Sequence, residues 1–479
     1  MLTASRYSDE STAGRAPDYS DAFEKLDSIS PRLDRLPPTA SIWKLVLLLS
    51  LGFFFELYDL LLTGYVAPGL VKSGILTPTT PGLFGTHGVA GFIAALFSGL
   101  FIGTIACGFL ADRYGRRAIF TWSLLWYTAA NLIMAFQAEA FWINLWRFIS
   151  GVGLGVEMVT IGAYVAELAP KAMRGQAFAC CQAVGFTAVP VVAFLSYLLV
   201  PIAPMGVDGW RWIVILGAHG ALFAWWIRRN LPESPRWLAQ RGRLQEAEII
   251  LTALEAKVQK EFGHPLPAPE AALPVPAIGA FRDMWVAPYR ARSIMLMVFH
   301  VCQAVGYYGW ANWVPTLLIQ KGIAITTSLL YTSVIALAAP LGPLLGLWAA
   351  DRFERKTVIV AMAGLNVACG LAFSQESTMV ALILLGVCLT VAGNVASFTY
   401  HAYQAELFPT RIRARAVGFV YSWSRFSGIF TAFLISFMLG KFGVTGVFVF
   451  IAMAMGGVMV IIGAVGPRTR LLSLEQVSR

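Results

Sequence analysis

Charge is what this chain has least of. Only 13% of its 479 residues are Asp, Glu, Lys or Arg, whereas 57% are apolar, and the mean hydropathy is +0.67. A soluble domain of this size carries about a quarter charged residues, so that class is excluded. Cysteine is scarce too. The six (Cys107, Cys180, Cys181, Cys302, Cys369, Cys388) all fall in apolar runs without metal-ligand spacing, and they read as small packing residues. No metal or cofactor site is expected. No cleavable signal sequence stands out, and the first forty residues, polar and mixed in charge, read as a flexible tail. Outside that tail, a central stretch and a short C-terminal tail, no polar segment is long enough to house an enzyme domain. The chain is not expected to be an enzyme.

Long apolar runs are present throughout, each able to cross a hydrocarbon layer of ~30 Å. They read as Ile42–Pro68, Val89–Ala111, Ala118–Ala138, Phe141–Val165, Ala177–Val200 and Trp210–Ile227. After the centre come Ile294–Leu318, Thr326–Ala349, Thr357–Phe373, Met379–Tyr400, Ala416–Leu439 and Val444–Val465. Helices are the expected spanning element, because lipid offers an unpaired backbone group no partner. The expected fold is therefore an all-α integral membrane protein of twelve transmembrane helices in two six-helix bundles. Its parts are a tail (1–41), a first bundle (42–227), a central loop (228–292), a second bundle (293–466) and a C-tail (467–479). The central loop holds a helical segment, Arg243–Lys260, and a Pro/Ala-rich linker, Pro265–Pro276; the longest opposite loop is Val71–His87.

A net charge of +10 would suit nucleic acid, but position decides otherwise: 30 of the 36 Lys and Arg fall on the central-loop side of these spans. That asymmetry places both termini in the cytoplasm of a cell whose inner membrane holds the protein. The expected partners are the bilayer, protons and a small solute, with no nucleic acid, and the chain is expected to act as a monomer.

The sequence also repeats itself. Asp112-Arg113-Tyr-Gly-Arg116-Arg117 returns 239 positions later as Asp351-Arg352-Phe-Glu-Arg355-Lys356. Glu167-Leu-Ala-Pro and Glu406-Leu-Phe-Pro share that offset. Two unrelated motif pairs at one spacing indicate a duplicated half. An aspartate at a helix end followed by arginines can tie neighbouring helices together. Glu167 with Arg174, and Glu406 with Arg411 or Arg413, are the expected additional ion pairs; alternatively these residues only anchor topology.

Twelve spans, two parallel halves and the duplicated loop resemble the major facilitator superfamily of transporters. Arg147-x-x-x-Gly151-x-Gly153-x-Gly155, Glu167-x-x-Pro170-x-x-x-Arg174 and Pro232-Glu233-Ser234-Pro235-Arg236-Trp237 are similar to its sugar-porter branch and metabolite relatives. The resemblance implies cytoplasmic gating roles for Asp112, Arg113, Arg116, Arg117, Glu167, Arg174, Glu233, Arg236, Asp351, Arg352, Arg355, Glu406, Arg411 and Arg413. The seventh span departs from the branch: it keeps Gln303 and Gly306, but Tyr308 stands where the sugar-contacting Asn would be. Ser424-Arg425-Phe-Ser-Gly428 and Glu157 look instead like relatives carrying nicotinate and organic ions.

Five charges sit inside spans: Glu56, Asp59, Arg147, Glu157 and Arg425. Each costs about 2.5–3.5 kcal/mol at mid-helix, so each is expected to have a task. None recurs at the 239-residue offset. Asp59 and Arg147 come to matching depth, and the resemblance extends to them the role of a proton-coupling pair. Glu56, one turn from Asp59, either shares that role or neutralises Arg425; Glu157 is left between proton relay and long-range pairing. Arg425 suits a planar carboxylate. Gln182, Gln303, Tyr307, Tyr308, Trp310, Asn312, Asn394 and Trp423 are the expected cavity residues. His219, His300 and His401 are either packed neutral rings or proton relays. The expectation is a proton-coupled symporter importing a small organic acid. A sugar or polyol symporter, or a sensor built on a carrier fold, stand as alternatives.

Overall fold

A computed structural model of the protein describes residues 28–85, 87–228, 231–269 and 281–469. A short helix, α1 (28–34), precedes α2 (Ala40–Lys72), α3 (Gly88–Tyr114), α4 (Arg116–Ala135) and α5 (Ala140–Leu168). Next come α6 (Arg174–Phe186), α7 (Ala188–Leu199) and α8 (Gly209–Arg228). The central loop carries α9 (Pro235–Gln240) and α10 (Leu244–Phe262). The second half has α11 (Tyr289–Ala311), α12 (Val314–Gln320), α13 (Ile325–Ala336), α14 (Leu341–Arg352), α15 (Arg355–Gln375), α16 (Met379–Glu406) and α17 (Thr410–Val465).

The crossings number six per half because three of them are broken rods and α17 supplies two. α6 and α7 form one rod interrupted at Thr187, as do α11–α12 at Asn312 and α13–α14 before Leu341. α17 folds back at Gly443, whose φ of 65° and ψ of −163° no helix contains. The twelve-helix, two-bundle architecture is thus present, and this is the major facilitator fold of an integral membrane protein. Some expected boundaries move. The first span reaches Lys72, with Pro68 inside the helix, instead of ending at Pro68. Part of the expected linker (270–276) lies outside the described residues.

The tail is not loose throughout. Ile29, Leu33 and Leu36 are buried with Leu251, Leu254 and Val258 of α10 and with Met173 and Ala177 at the base of the bundle. Arg32 donates to Glu248 and Glu255 at 2.6 Å each, and Arg35 to Glu255 at 2.7 Å. In this part of the tail Arg32, Asp34 and Arg35 have specific partners; the rest of the expected flexible tail, 1–27, lies outside the described residues.

Packing within the first half explains the glycine run. Gly99 and Gly103 of α3 meet the backbone of α5 at Phe148 and Val152, and Gly151 and Gly155 of α5 meet α3 at Leu96 and Leu100. A methyl at any of them would strike a carbonyl, so the spacing is that of two helices in backbone contact. Between the halves, Phe97 of α3 lies edge-on to Tyr308 of α11 with centroids 4.6 Å apart. Gly64 of α2 abuts the backbone of Asn312, and Gly428 of α17 abuts the Phe97 ring. The helices that will carry the site therefore touch across the midline.

Candidate functional site

Asp59 and Arg147 do meet. α2 and α5 run in opposite directions, which brings Arg147 Nη1 to 2.9 Å from Asp59 Oδ1 with both side chains buried. Arg147 Nη2 also donates to the backbone carbonyl of Asp59 and to Thr63 Oγ1, both at 2.5 Å, and its Nε donates to Thr63 Oγ1 at 3.0 Å. Asn131 of α4 bridges the pair, donating to Asp59 Oδ1 at 2.7 Å and accepting from Arg147 Nη1 at 3.1 Å. Ser150 donates to Asp59 Oδ2 at 3.1 Å. A buried ion pair holds only when its remaining donors and acceptors are matched, and here three neighbouring helices match them. Thr63, Asn131 and Ser150 were not singled out from the sequence. Asn131, an amide deep in an apolar span, carried the signal.

Glu56, Glu157 and Arg425 form a second group of buried charges. Glu56 is fully buried, and neither carboxyl oxygen accepts a hydrogen bond. The charges acting on it are those of Glu157 and Arg425. Arg425 is not salt-bridged to Glu56, however. Its guanidinium donates to the hydroxyls of Tyr308 and, at 2.8 Å, of Tyr421, and lies 4.9 Å from the Tyr421 ring centroid. An unpaired buried carboxylate would cost several kcal/mol in the charged form.

A cavity of about 810 Å³ opens between the halves, walled mostly by the second. Of the expected substrate residues, Gln303, Tyr307, Trp310 and Asn394 line it. Tyr65, Asn366 and Thr390 line it too and were missed, since a lone hydroxyl or amide in a span gives little signal. The wall has aromatic faces and amides but no Asp, Glu, Lys or Arg. Trp310 Nε1 donates to Thr390 Oγ1 at 3.0 Å, which fixes the indole. The remaining expected substrate residues are off this wall. Arg425 and Tyr308 are locked on each other just behind Tyr307, whose ring meets that of Tyr308 at 5.2 Å. Asn312 is buried at the contact with Gly64, and its amide has no partner. Gln182 sits on α6 and Trp423 packs against Phe426, both away from the cavity. Of the histidines, His300 is buried and bonded to Gln404 at 2.9 Å, half-buried His401 is bonded to the Ser397 carbonyl, and exposed His219 to that of Ile215.

On the central-loop face the ion pairs differ from those expected. Glu167 pairs with Arg116 at 3.1 Å and Glu406 with Arg355 at 3.0 Å, the same pair repeated 239 residues on. Arg174 and Arg236 instead share Asp34, at 2.9 and 2.7 Å, because the tail reaches them first. Arg413 donates to the Phe408 carbonyl at 3.2 Å. Arg113 and Arg352 lie over Tyr114 and Trp348. Glu233 caps α4, accepting from the backbone N–H of Arg116 at 3.1 Å and of Arg117 at 3.2 Å. Burial pushes its carboxyl above the ordinary range against the pull of those N–H groups. The side chains of Asp112, Asp351 and Arg411 lie outside the described part of the structure.

Two bundles around a midline cavity, with charges buried near it, define a multi-pass membrane transporter. Residues 45–479 match the sugar (and other) transporter family. The chain belongs to that family and is not an enzyme. It is 32% identical to the metabolite transport protein YyaJ of Bacillus subtilis over 88% of this chain and 91% of that protein. It is 28% identical to the niacin transporter NiaP of Acinetobacter baylyi over 91% and 97%. In fold it matches the partially occluded, inward-open xylose transporter XylE of E. coli with a TM-score of 0.71, at 20% sequence identity, covering 91% of this chain and all of that one.

Proposed function

We propose that the protein is a proton-coupled symporter that imports a small, flat organic acid across the bacterial inner membrane by alternating access. The observation that carries this reading is the Asp59–Arg147 pair, buried at 2.9 Å and present in one half only. Protonating Asp59 removes the charge that Arg147 answers, and the α2–α5 contact loosens. Glu56, close to Arg425 across the midline, is the second proton carrier. The cavity's aromatic wall suits a planar ring. Arg425 suits the acid group once the Tyr308 and Tyr421 hydroxyls turn aside. The niacin-transporting relative supports a ring acid of this kind. The excess of Lys and Arg on the central-loop face makes that face cytoplasmic, with both termini there. The repeated Arg116–Glu167 and Arg355–Glu406 pairs and the Glu233 cap hold the cytoplasmic ends of each half as rigid gate pieces. A sugar or polyol is the second reading, favoured by Gln303, whose amide faces the cavity.

Proteoliposomes carrying an internal pH dye discriminate between these readings. Lumenal acidification on adding nicotinate or benzoate, and not xylose, supports the reading. Acidification with xylose alone favours the sugar. No acidification with any of them contradicts symport.

A further inference from the structure

Besides the central cavity, a second and much smaller one, with room for about one water, lies within the first half, between α2, α4 and α8. Asp59 is on its wall. α4 contributes Tyr127, Thr128 and Asn131; α8 contributes Val214, Gly217, Ala218 and Ala221. At ~1.5 Å per residue, the stretch of α2 on its wall, Phe55 to Leu62, covers about 10 Å, with Asp59 midway.

Thr128 is the informative residue. Many serines and threonines inside helices of this protein turn the hydroxyl back onto a carbonyl of the preceding turn. Thr121, Thr160, Ser196, Thr332, Thr399 and Thr431 all do so, at 2.7–2.8 Å. Thr128 does not. It is 2% exposed, yet its Oγ1 has no hydrogen-bond partner. A buried hydroxyl left unmatched costs about 1–3 kcal/mol, and here a local partner was forgone beside an open space. Asp59 Oδ2 meanwhile receives a single bond, from Ser150, and a carboxylate oxygen has room for another. A small space with a hydroxyl and a carboxylate oxygen on its otherwise mostly apolar wall suits a single water.

We propose that this cavity is an internal water site joining Thr128 Oγ1 to Asp59 Oδ2, and that Asp59 exchanges its proton through that water. The inference rests on the reading of Asp59 as the coupling carboxylate. It supplies a contact on the cavity side of Asp59, where Asn131 is on the wall and Arg147 and Thr63 are not. The proton leaves Asp59 as the O–H bond breaks, is taken up by the water, and that water's own proton passes on. Arg147 of α5 is the charged group bonded to Asp59. α4 and α8 present only the neutral side chains named above, and Tyr58 of α2 is committed to the Ile213 carbonyl at 2.9 Å.

Two measurements on the full-length protein in nanodiscs test this without any transported solute. X-ray hydroxyl-radical footprinting labels rings in contact with ordered water. Tyr127 is expected to be labelled several-fold faster than Tyr164, a comparably buried ring off the cavity. Ala218→Leu, which fills the space, removes that difference. Infrared spectroscopy at acid pH gives the protonated Asp59 carboxyl, identified by its loss in Asp59→Asn, and its rate of deuterium exchange. Exchange slowed several-fold in Ala218→Leu and in the milder Thr128→Val supports the route. An unlabelled Tyr127 overturns the water site. Labelling with exchange rates equal to wild type in both variants overturns its role in proton exchange. The vesicle assay for symport stands or falls separately.

Discussion

Arg147 is tied to Asp59 in the first half, whereas the position 239 residues on is Gly386, packed against Ile335. The duplicated halves therefore agree at their central-loop ends, where Arg116–Glu167 is repeated as Arg355–Glu406, and differ midway along the helices. Shared architecture and unshared chemistry occupy different depths of the same helices.

Asp59→Asn keeps the shape of the network and removes its titration. It is expected to abolish accumulation of the transported acid against a gradient while leaving its one-for-one exchange across the membrane. Parallel uptake and counterflow assays in proteoliposomes check this, and surviving accumulation refutes it.

Arg147→Ala leaves Asp59 buried without its cation. The expected loss is about 3–5 kcal/mol, read as a marked fall in thermal midpoint of the detergent-solubilised protein. Combining it with Asp59→Asn is expected to recover much of that loss, because the two residues share one network. Additive losses would show that they do not.

At Gly115 the chain has φ of 96° and passes beside the Glu233 carboxylate. Gly115→Ala therefore strains the backbone and displaces the cap of α4, at a cost of at least about 1 kcal/mol. Glu233→Gln, which keeps an acceptor, is expected to cost less. Thermal unfolding of the two variants side by side decides the order.

The docked tail is pH-sensitive in a defined direction. Burial raises the Glu255 carboxyl, but the bonds from Arg32 and Arg35 outweigh it and hold it below the ordinary 4.5. A depressed carboxylate contributes stability that is complete above that value and lost as pH falls through the native one. Hydrogen exchange of residues 28–36 is expected to rise on that descent, and at neutral pH in Arg32→Ala; protection unchanged in both contradicts it.

Much of this was legible in the sequence. Apolar length fixed the spans, the 239-residue repeat fixed the two halves, and opposed helix directions brought Asp59 to Arg147. The end of the charged tail, from residue 28, was misread, because polar composition does not reveal that Arg32, Asp34 and Arg35 each have a partner over 130 residues away in the chain. Glu167–Arg174 was misread for the same reason: adjacency in sequence suggested one pairing and the fold supplied another. The tyrosine partners of Arg425 come from α11 and from its own preceding turn, and no spacing rule points from a guanidinium to a phenol.

The account turns on Asp59 carrying the proton. The most direct measurement is solute-driven proton influx, by lumenal pH dye, in vesicles holding wild type or Asp59→Asn, with nicotinate as the added acid. The account predicts acidification in wild type and none in the variant, with both proteins folded. Equal acidification in the two would contradict it.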